Sequence, residues 1–358
     1  MHKFIFLLLI LFFPTNVFAL SSIVMDIDTG RIIYQKNSNN KQLIASTTKI
    51  MTAIVAIENG KLEKKVTVGE EVLKMYGTNI YVEVGEKMSL KDLLYGLLLR
   101  SGNDASLVIA KAVSGDEDKF VELMNKKAKE LGMKNTSFAN PHGLDEETKN
   151  YSTAYDMAIL SRYAYKNKIY KKISSTKKYE VSTGDKTYLW YNRNKLLNNY
   201  KYCTSGKNGY TPSAGKTLVT TASKDGLNLT VVTLGDGNSY NTHKNLYEKY
   251  FHKLKKYEII SKNNFKLDKT FVNDNVYIKE SFYYPLYEDE IDQIKTIVSI
   301  NTSVNGKEVG KITIHLKNKK IGDIPIYRKE KEKDKTLSQK IKSLFWWNSK
   351  KINTWVCK

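Results

Sequence analysis

Strand-type and helix-type periodicities follow one another along this chain in an order that restricts the folds open to it. Ser22 to Asp28 alternate apolar and polar, Thr29-Gly30 makes a turn, and Arg31-Ile32-Ile33-Tyr34 runs apolar again, which reads as a β-hairpin. Helical spacing follows. Ala45 to Glu58 places Ile50, Met51, Ile54, Val55 and Ile57 on one face, and Asn59-Gly60 closes the segment. Leu90 to Arg100 is a leucine-rich helix, Ala105 to Val113 and Phe120 to Leu131 give two more, and Ser152-Thr153 opens another that runs through Tyr163. From about Tyr188 short β-type runs return. Leu218 to Ala222 and Leu229 to Leu234 flank a Lys224-Asp225-Gly226 hairpin turn, and a helix-like stretch from Tyr240 to Leu254 ends this part. Strands near both ends with helices between them predict an α/β layer arrangement on a largely antiparallel sheet.

The character changes beyond about Glu258. Phe271 to Tyr287 and Ile294 to Tyr327 alternate apolar and polar, with Asn305-Gly306 as a hairpin signal. These predict a small all-β domain of roughly seventy residues. Arg328 to Lys335 is then a solvated charge run that reads as a linker. Behind it Leu337, Ile341, Leu344, Phe345, Ile352, Trp355 and Val356 form an apolar stripe at helical spacing, flanked by Lys340, Lys342, Lys350 and Lys351. Trp346, Trp347 and Trp355 lie here too, and aromatic rings with basic flanks suit the surface of an anionic membrane.

At the other end, Met1-His2-Lys3 precedes an apolar run from Phe4 to Phe13. Val17-Phe18-Ala19 then puts small residues where a signal peptidase would need them for cleavage before Leu20. The run is ten residues against the ~20 that a membrane span requires, so residues 1–19 read as a secretory signal peptide. Only two cysteines, Cys203 and Cys357, occur in 358 residues, so an exported protein of this length is not a disulfide scaffold. The formal charge is +21, and +20 without Lys3 (57 minus 37). Outside the cell that charge points to anionic lipid headgroups and wall polymers, and no nucleic-acid motif accompanies it. The five histidines, His2, His142, His243, His252 and His315, show no metal-ligand spacing. The reading therefore includes no metal and no cofactor. His142, in Asn140-Pro141-His142-Gly143-Leu144, is expected to be structural, and Cys203 to be a buried apolar thiol.

Three short motifs carry the chemistry. In Ala45-Ser46-Thr47-Thr48-Lys49 a serine heads an apolar helix with a lysine three residues on, on the same face. A serine needs a base to become a nucleophile, and a lysine serves when burial and nearby cations lower its pKa. Helix N–H groups there also face developing negative charge. In Ser101-Gly102-Asn103 the serine hydroxyl is placed to pass a proton between Lys49 and a leaving group, and the Asn103 amide to bind a substrate peptide group. In Gly206-Lys207-Asn208-Gly209-Tyr210 a lysine on a strand brings a fixed positive charge, and Gly209 removes a side chain where a ligand backbone must approach. Ser-x-x-Lys, Ser-x-Asn and Lys-x-Gly in this order form the set found in penicillin-binding proteins and class A β-lactamases.

The resemblance then becomes specific. IASTTKIMTA (44–53), SLKDLLYGLLLRSGNDA (89–105), LGMKNTSFANPHGL (131–144) and GKNGYTPSAG (206–215) make the chain resemble the serine D-alanyl-D-alanine carboxypeptidases, the low-molecular-weight penicillin-binding proteins. The likeness covers about residues 21–255, and the β domain and tail more loosely. It implies a penicillin-binding-protein/β-lactamase-like catalytic domain at 20–256, a small β-sandwich at 257–328, and a linker with an amphipathic membrane anchor at 329–358. It implies that Ser46 attacks the penultimate D-alanine carbonyl of a peptidoglycan stem peptide, with Lys49 as general base and Ser101 as proton shuttle. Ser46 and Tyr210 N–H groups would form the oxyanion hole. Lys207 would keep Lys49 neutral and attract the terminal carboxylate, with Asn103, Asn208 and Gly209 completing the binding site. β-Lactams would acylate the same serine. The expected place of action is the outer face of the cytoplasmic membrane or the wall.

One position departs from the family. Its third motif is usually Lys-Thr-Gly, and Asn208 stands in the threonine's place. An asparagine NH2 also donates to a carboxylate, but from a longer, unbranched side chain that shifts the donor by roughly an ångström. Rival readings are a non-catalytic penicillin-binding protein, a D,D-endopeptidase and a β-lactamase. No glutamate stands out to activate a deacylating water, which weakens the last.

Overall fold

The computed structural model describes residues 20–184, 186–267, 276–300 and 307–328. The expected signal peptide, the Asn305-Gly306 turn, most of the charged linker and the basic tail lie outside the described residues. No helix among the described residues is long and apolar enough to cross a membrane. The chain divides into two compact units between Lys256 and Tyr257.

In the first unit the hairpin and the late strands join in one sheet. β1 (Ser21–Asp26) pairs with β2 (Ile32–Lys36) and with β5 (Leu227–Leu234). β5 pairs with β4 (Gly215–Lys224), and β4 with β3 (Cys203–Thr211). Every pairing is antiparallel, giving the order β2-β1-β5-β4-β3. Ile23 and Val219 both stand opposite Val232, and Lys207 stands opposite Val219. β3 is therefore an edge strand whose outer side is open to the rest of the site.

Threonines on β4 and β5 show how the helices cover the sheet. Thr220 Oγ1 lies 2.7 Å from His243 Nδ1 of the helix Ser239–Lys253, and Ser161 Oγ of the helix Ala154–Lys166 lies 2.8 Å from Thr230 Oγ1. Thr220 and Thr230 sit on opposite faces, because Thr220 pairs with Val231 and side chains alternate along a strand. One helix thus covers each face. Lys207, opposite Val219, falls on the same face as Thr230, the face covered by the middle of the chain.

That middle region is one continuous core. Ile50, Met51, Ile54, Leu93, Leu97, Val108, Phe120 and Met157 pack with Ile23, Val219 and Val232. Its helices are α1 (Lys49–Asn59), α2 (Leu90–Tyr95), α3 (Asn103–Ser114), α4 (Glu117–Glu130) and α5 (Ala154–Lys166). Polar residues set their starts, as Ser89, Asp116 and Thr153 each accept a backbone N–H of the first turn. Two details differ from the periodicity. The segment starting at Ala45 opens as a 3-10 turn, Ala45–Thr48, and becomes α-helical only at Lys49. The leucine-rich helix widens into a π-helical turn over Gly96–Arg100. This turn ends at Ser101, held at φ +70° with its N–H on the Gly96 carbonyl.

The second unit carries a four-stranded antiparallel sheet with the order Val276–Tyr277, Lys319–Arg328, Glu308–Leu316, Ile294–Ile300. Ile278, Val309, Ile312, Ile314, Ile324 and Ile326 form its core. Among the described residues, the β-type alternation beyond Glu258 falls largely on strands, and Phe271 to Asn275 lie outside the described residues.

Candidate active site

The site is built around the Lys49 amine. Lys49 begins α1 and is fully buried, because the first two turns of this helix, Lys49 through Ala56, are buried on every side. Its Nζ lies 3.2 Å from Ser46 Oγ, 2.7 Å from Asn103 Oδ1 and 2.5 Å from the His142 carbonyl oxygen. Taking an ammonium out of water costs several kcal/mol, so burial favours the neutral amine. Burial, then the Lys207 ammonium, hold Lys49 well below the usual lysine range, while Asp104 pulls the other way.

Ser46 sits on the turn just ahead of this helix, after Ala45, whose φ is +45°. The strand behind it must come very close. A Cβ on Gly209 would stand 2.7 Å from the Ser46 nitrogen and 2.6 Å from Thr217 Oγ1. The glycine therefore makes room for the chain's own serine turn.

Asn103 opens α3. Besides accepting from Lys49 it donates through Nδ2 to the Tyr76 carbonyl at 2.8 Å, and its N–H bonds the Thr78 carbonyl at 2.8 Å. Asp104, next in the chain, is buried and accepts from the N–H groups of Ile80, Tyr81 and Val82 at 2.7 to 3.4 Å. These two residues pin the segment 76–82, including Tyr81 at φ +64°, to the head of α3. Ser101 is buried at the end of the π turn, two residues before Asn103, and its hydroxyl makes no hydrogen bond among the described residues.

Lys207 is buried on β3, and its Nζ donates to the Asn208 carbonyl at 2.7 Å. Its charge is less fixed than its motif suggests, because burial and the Arg193 guanidinium lower its pKa to about 7. Asn208 is half-buried, and its side-chain amide makes no hydrogen bond among the described residues. Tyr210 is 65% exposed.

The expected residues thus fall into an inner and an outer group. Ser46, Lys49 and Asn103 are in direct contact, Gly209 packs on the serine turn, and Lys207 acts on Lys49 through charge. Asn208 and Tyr210 alternate along β3 with Lys207 and Gly209, and their side chains leave the strand on its other side. The amide of Asn103, expected to face substrate, has its oxygen on Lys49 and its nitrogen on the Tyr76 carbonyl. Sequence reasoning missed Asp104, Arg193 and the His142 carbonyl. Asp104 adjoins the second motif, which is a signal. Arg193 gives none, and a backbone carbonyl is offered by any residue type.

The His142 ring, whose pKa burial and the neighbouring Lys49 bring down to about 3, is neutral at ordinary pH. Nδ1 accepts from the Leu144 N–H at 3.1 Å, which leaves the proton on Nε2. The ring lines a cavity of about 540 Å3 beside Glu70, Glu71, Glu117 and Glu147. A larger cavity of about 870 Å3, near Tyr200 and Lys244, touches none of the motif residues. Cys203 lines that larger cavity and is half-buried, and burial pushes its thiol up to about 12. No group of three His, Cys, Asp or Glu suited to a metal exists among the described residues.

Comparison with known proteins fixes the lineage of this arrangement. The sequence profile of the D-alanyl-D-alanine carboxypeptidase family matches residues 13–238, more than half of the chain. The chain belongs to this family. Within the family it is similar to D-alanyl-D-alanine carboxypeptidase DacF of Bacillus subtilis, 42% identical over 223 residues, 61% of this chain and 57% of that protein. It is also similar to a D-alanyl-D-alanine endopeptidase of Pseudomonas aeruginosa, 34% identical over 219 residues, 59% of this chain and 70% of that one. Among solved structures, the carboxypeptidase DacD of Francisella tularensis superposes with a TM-score of 0.68 at 27% identity, covering 86% of this chain and 92% of that one. The match spans under three fifths of the Bacillus subtilis protein. The fold is the family's mixed α/β arrangement on an antiparallel sheet, followed by the all-β unit.

Proposed function

We propose that this chain is a serine-type D,D-carboxypeptidase that removes the terminal D-alanine from peptidoglycan stem peptides and is acylated by β-lactams at the same serine. The observation that carries the reading is the three-way coordination of Lys49. A neutral amine has two N–H donors and one lone pair. Two carbonyl oxygens, of Asn103 and His142, take the donors, and the lone pair is left for Ser46 Oγ. Burial and Lys207 favour the neutral amine, and the two carbonyls orient it so that its lone pair is aimed at the serine.

In the reaction, Lys49 accepts the Ser46 hydroxyl proton while Oγ bonds to the penultimate D-alanine carbonyl. The N–H groups of Ser46 and Tyr210 receive the oxyanion, and the Gly209 close approach lets β3 reach the serine turn. The C–N bond then breaks, and the leaving D-alanine amine takes the proton from Lys49 through the Ser101 hydroxyl. Water hydrolyses the acyl-enzyme and returns the proton. Lys207 and the free amide of Asn208 bind the substrate's terminal carboxylate, Asn208 in place of the family's usual threonine.

The test is D-alanine release from a pentapeptide ending in D-Ala-D-Ala, with penicillin labelling in parallel. Release and labelling that both vanish in Ser46→Ala are the expected result. Labelling without release from free pentapeptide, but with cleavage of cross-linked dimers, would instead favour the endopeptidase named among the relatives. Labelling with neither would leave a penicillin-binding protein without peptidase activity.

We further propose that the protein is exported by the stretch 1–19 and held at the outer face of the cytoplasmic membrane by the basic, tryptophan-rich segment 329–358. The support is compositional: a short apolar run with small residues ahead of Leu20, and an apolar stripe flanked by lysines.

A further inference from the structure

Lys49 owes one of its two carbonyl acceptors to a loop, and the loop is held by a residue that touches neither the lysine nor the serine. We infer that Asn150 is a positioning residue for the general base. The inference rests on the reading of Lys49 as base given above.

Asn150 is 2% exposed. Its Oδ1 accepts the N–H groups of Ala139 at 2.7 Å and Asn140 at 3.1 Å. Its Nδ2 donates to the Asn140 carbonyl at 3.0 Å and to Thr48 Oγ1, also at 3.0 Å. Thr48 is the residue before Lys49, on the turn that carries Ser46. One amide side chain therefore ties the loop 139–144 to the nucleophile turn across 102 positions of sequence.

The rest of the loop passes this anchor on to Lys49. Asn140 Oδ1 accepts from the N–H groups of His142 and Gly143 at 3.2 and 2.6 Å, which bends the chain sharply. Gly143 sits at φ +86°, and a Cβ there would stand 2.1 Å from the Ala45 carbonyl oxygen, so the loop lies flat on the serine turn. Its consecutive carbonyls then face α1. Pro141 accepts from Thr52 Oγ1 at 2.7 Å, and His142 accepts from Lys49 Nζ. Thr52 follows Lys49 by three residues on the same helix face. A carbonyl that drifts by an ångström leaves a Lys49 N–H free to turn toward Ser46 Oγ. The lone pair then no longer faces the hydroxyl it must deprotonate.

The variants are Asn150→Ala and Thr48→Val. The second removes only the hydroxyl that accepts from Asn150 and keeps the side chain's shape, so it serves if the alanine variant does not fold. Thermal unfolding first establishes that each is native. The two readouts are the pH profile of penicillin acylation and the 15N NMR titration of the Lys49 amine, assigned with Lys49→Met. Positioning predicts acylation slowed about 10- to 100-fold. It also predicts a displaced acid limb of the profile and a displaced Lys49 titration midpoint. A merely structural role would lower the amplitude at every pH equally. An unchanged Lys49 titration in folded Asn150→Ala or Thr48→Val overturns the inference whether or not the enzyme is active. A wild-type protein that never acylates overturns the proposed function instead, and the NMR titration still decides the role of Asn150.

Discussion

Two buried amines in one site make the ionisation of Lys49 depend on Lys207. The Lys207 ammonium depresses Lys49, so replacing it with a neutral side chain raises the Lys49 pKa toward the ordinary range. Acylation needs Lys49 neutral, and a raised pKa moves the acid limb of the rate profile to higher pH. Lys207→Gln is therefore expected to lose more acylation at pH 6 than at pH 9, on top of a fall of about 100-fold from lost transition-state charge. Equal losses at both pH values would show that Lys207 acts on substrate alone. A different change is expected at Asn208. Asn208→Thr restores the family's hydroxyl and should alter KM for pentapeptide by about 10-fold or less while leaving penicillin labelling of Ser46 intact, read by steady-state kinetics. The meeting of Ser46, Lys49 and Asn103 was legible in the chain, because it runs through side chains whose chemistry is written in their type, whereas the Asn103 amide turns to Lys49 and the Tyr76 carbonyl instead of to a ligand. The share of His142 was not legible, since it acts through a carbonyl. The partial charge of Lys207 was not legible either, since it depends on Arg193 and on depth of burial.

At the level of elements, the site depends on how the head of α3 holds the segment 76–82. The Asp104 carboxylate receives the successive N–H groups of Ile80, Tyr81 and Val82, and the Ala105 N–H besides. Removing it leaves buried donors without partners. Asp104→Ala is expected to cost about 3 kcal/mol in urea denaturation and to slow acylation, because Asn103 is anchored to the same segment. Stability unchanged within about 0.5 kcal/mol would mean that water replaces the carboxylate. The sequence signalled the helices of this region through apolar spacing but concealed two features. The π turn at Gly96–Arg100 keeps Leu97, Leu98 and Leu99 buried, so its spacing looks like ordinary α-helix. The hairpin of Lys178–Thr183 with Lys186–Tyr191 was only half visible, from Tyr188 onward. Its first strand turns Lys178 and Glu180 to solvent and packs only Tyr179 and Val181 inward.

At the scale of the whole molecule, the order of periodicities carried the α/β arrangement on an antiparallel sheet but not that helices cover both of its faces, and the shift near Glu258 lies beside the division between the two units. What it did not carry is whether the units need each other. Each has its own buried core, Ile50, Leu93 and Val219 in one and Ile312, Ile314 and Ile326 in the other. All the motif residues lie before Lys256. A unit with a closed core and a complete site should fold alone. Residues 20–256 are therefore expected to unfold in one cooperative transition and to label with penicillin within about threefold of the rate of the longer chain. Vesicle binding should separate from this. The chain through Lys358 should sediment with phosphatidylglycerol vesicles and release in high salt, and the chain ending at Arg328 should stay in solution, since lysines near an anionic surface contribute about 1 kcal/mol each. If residues 20–256 label normally and the chain ending at Arg328 still sediments, the membrane contact belongs to the basic surface of the folded units. The segment 329–358 would then lose its proposed role.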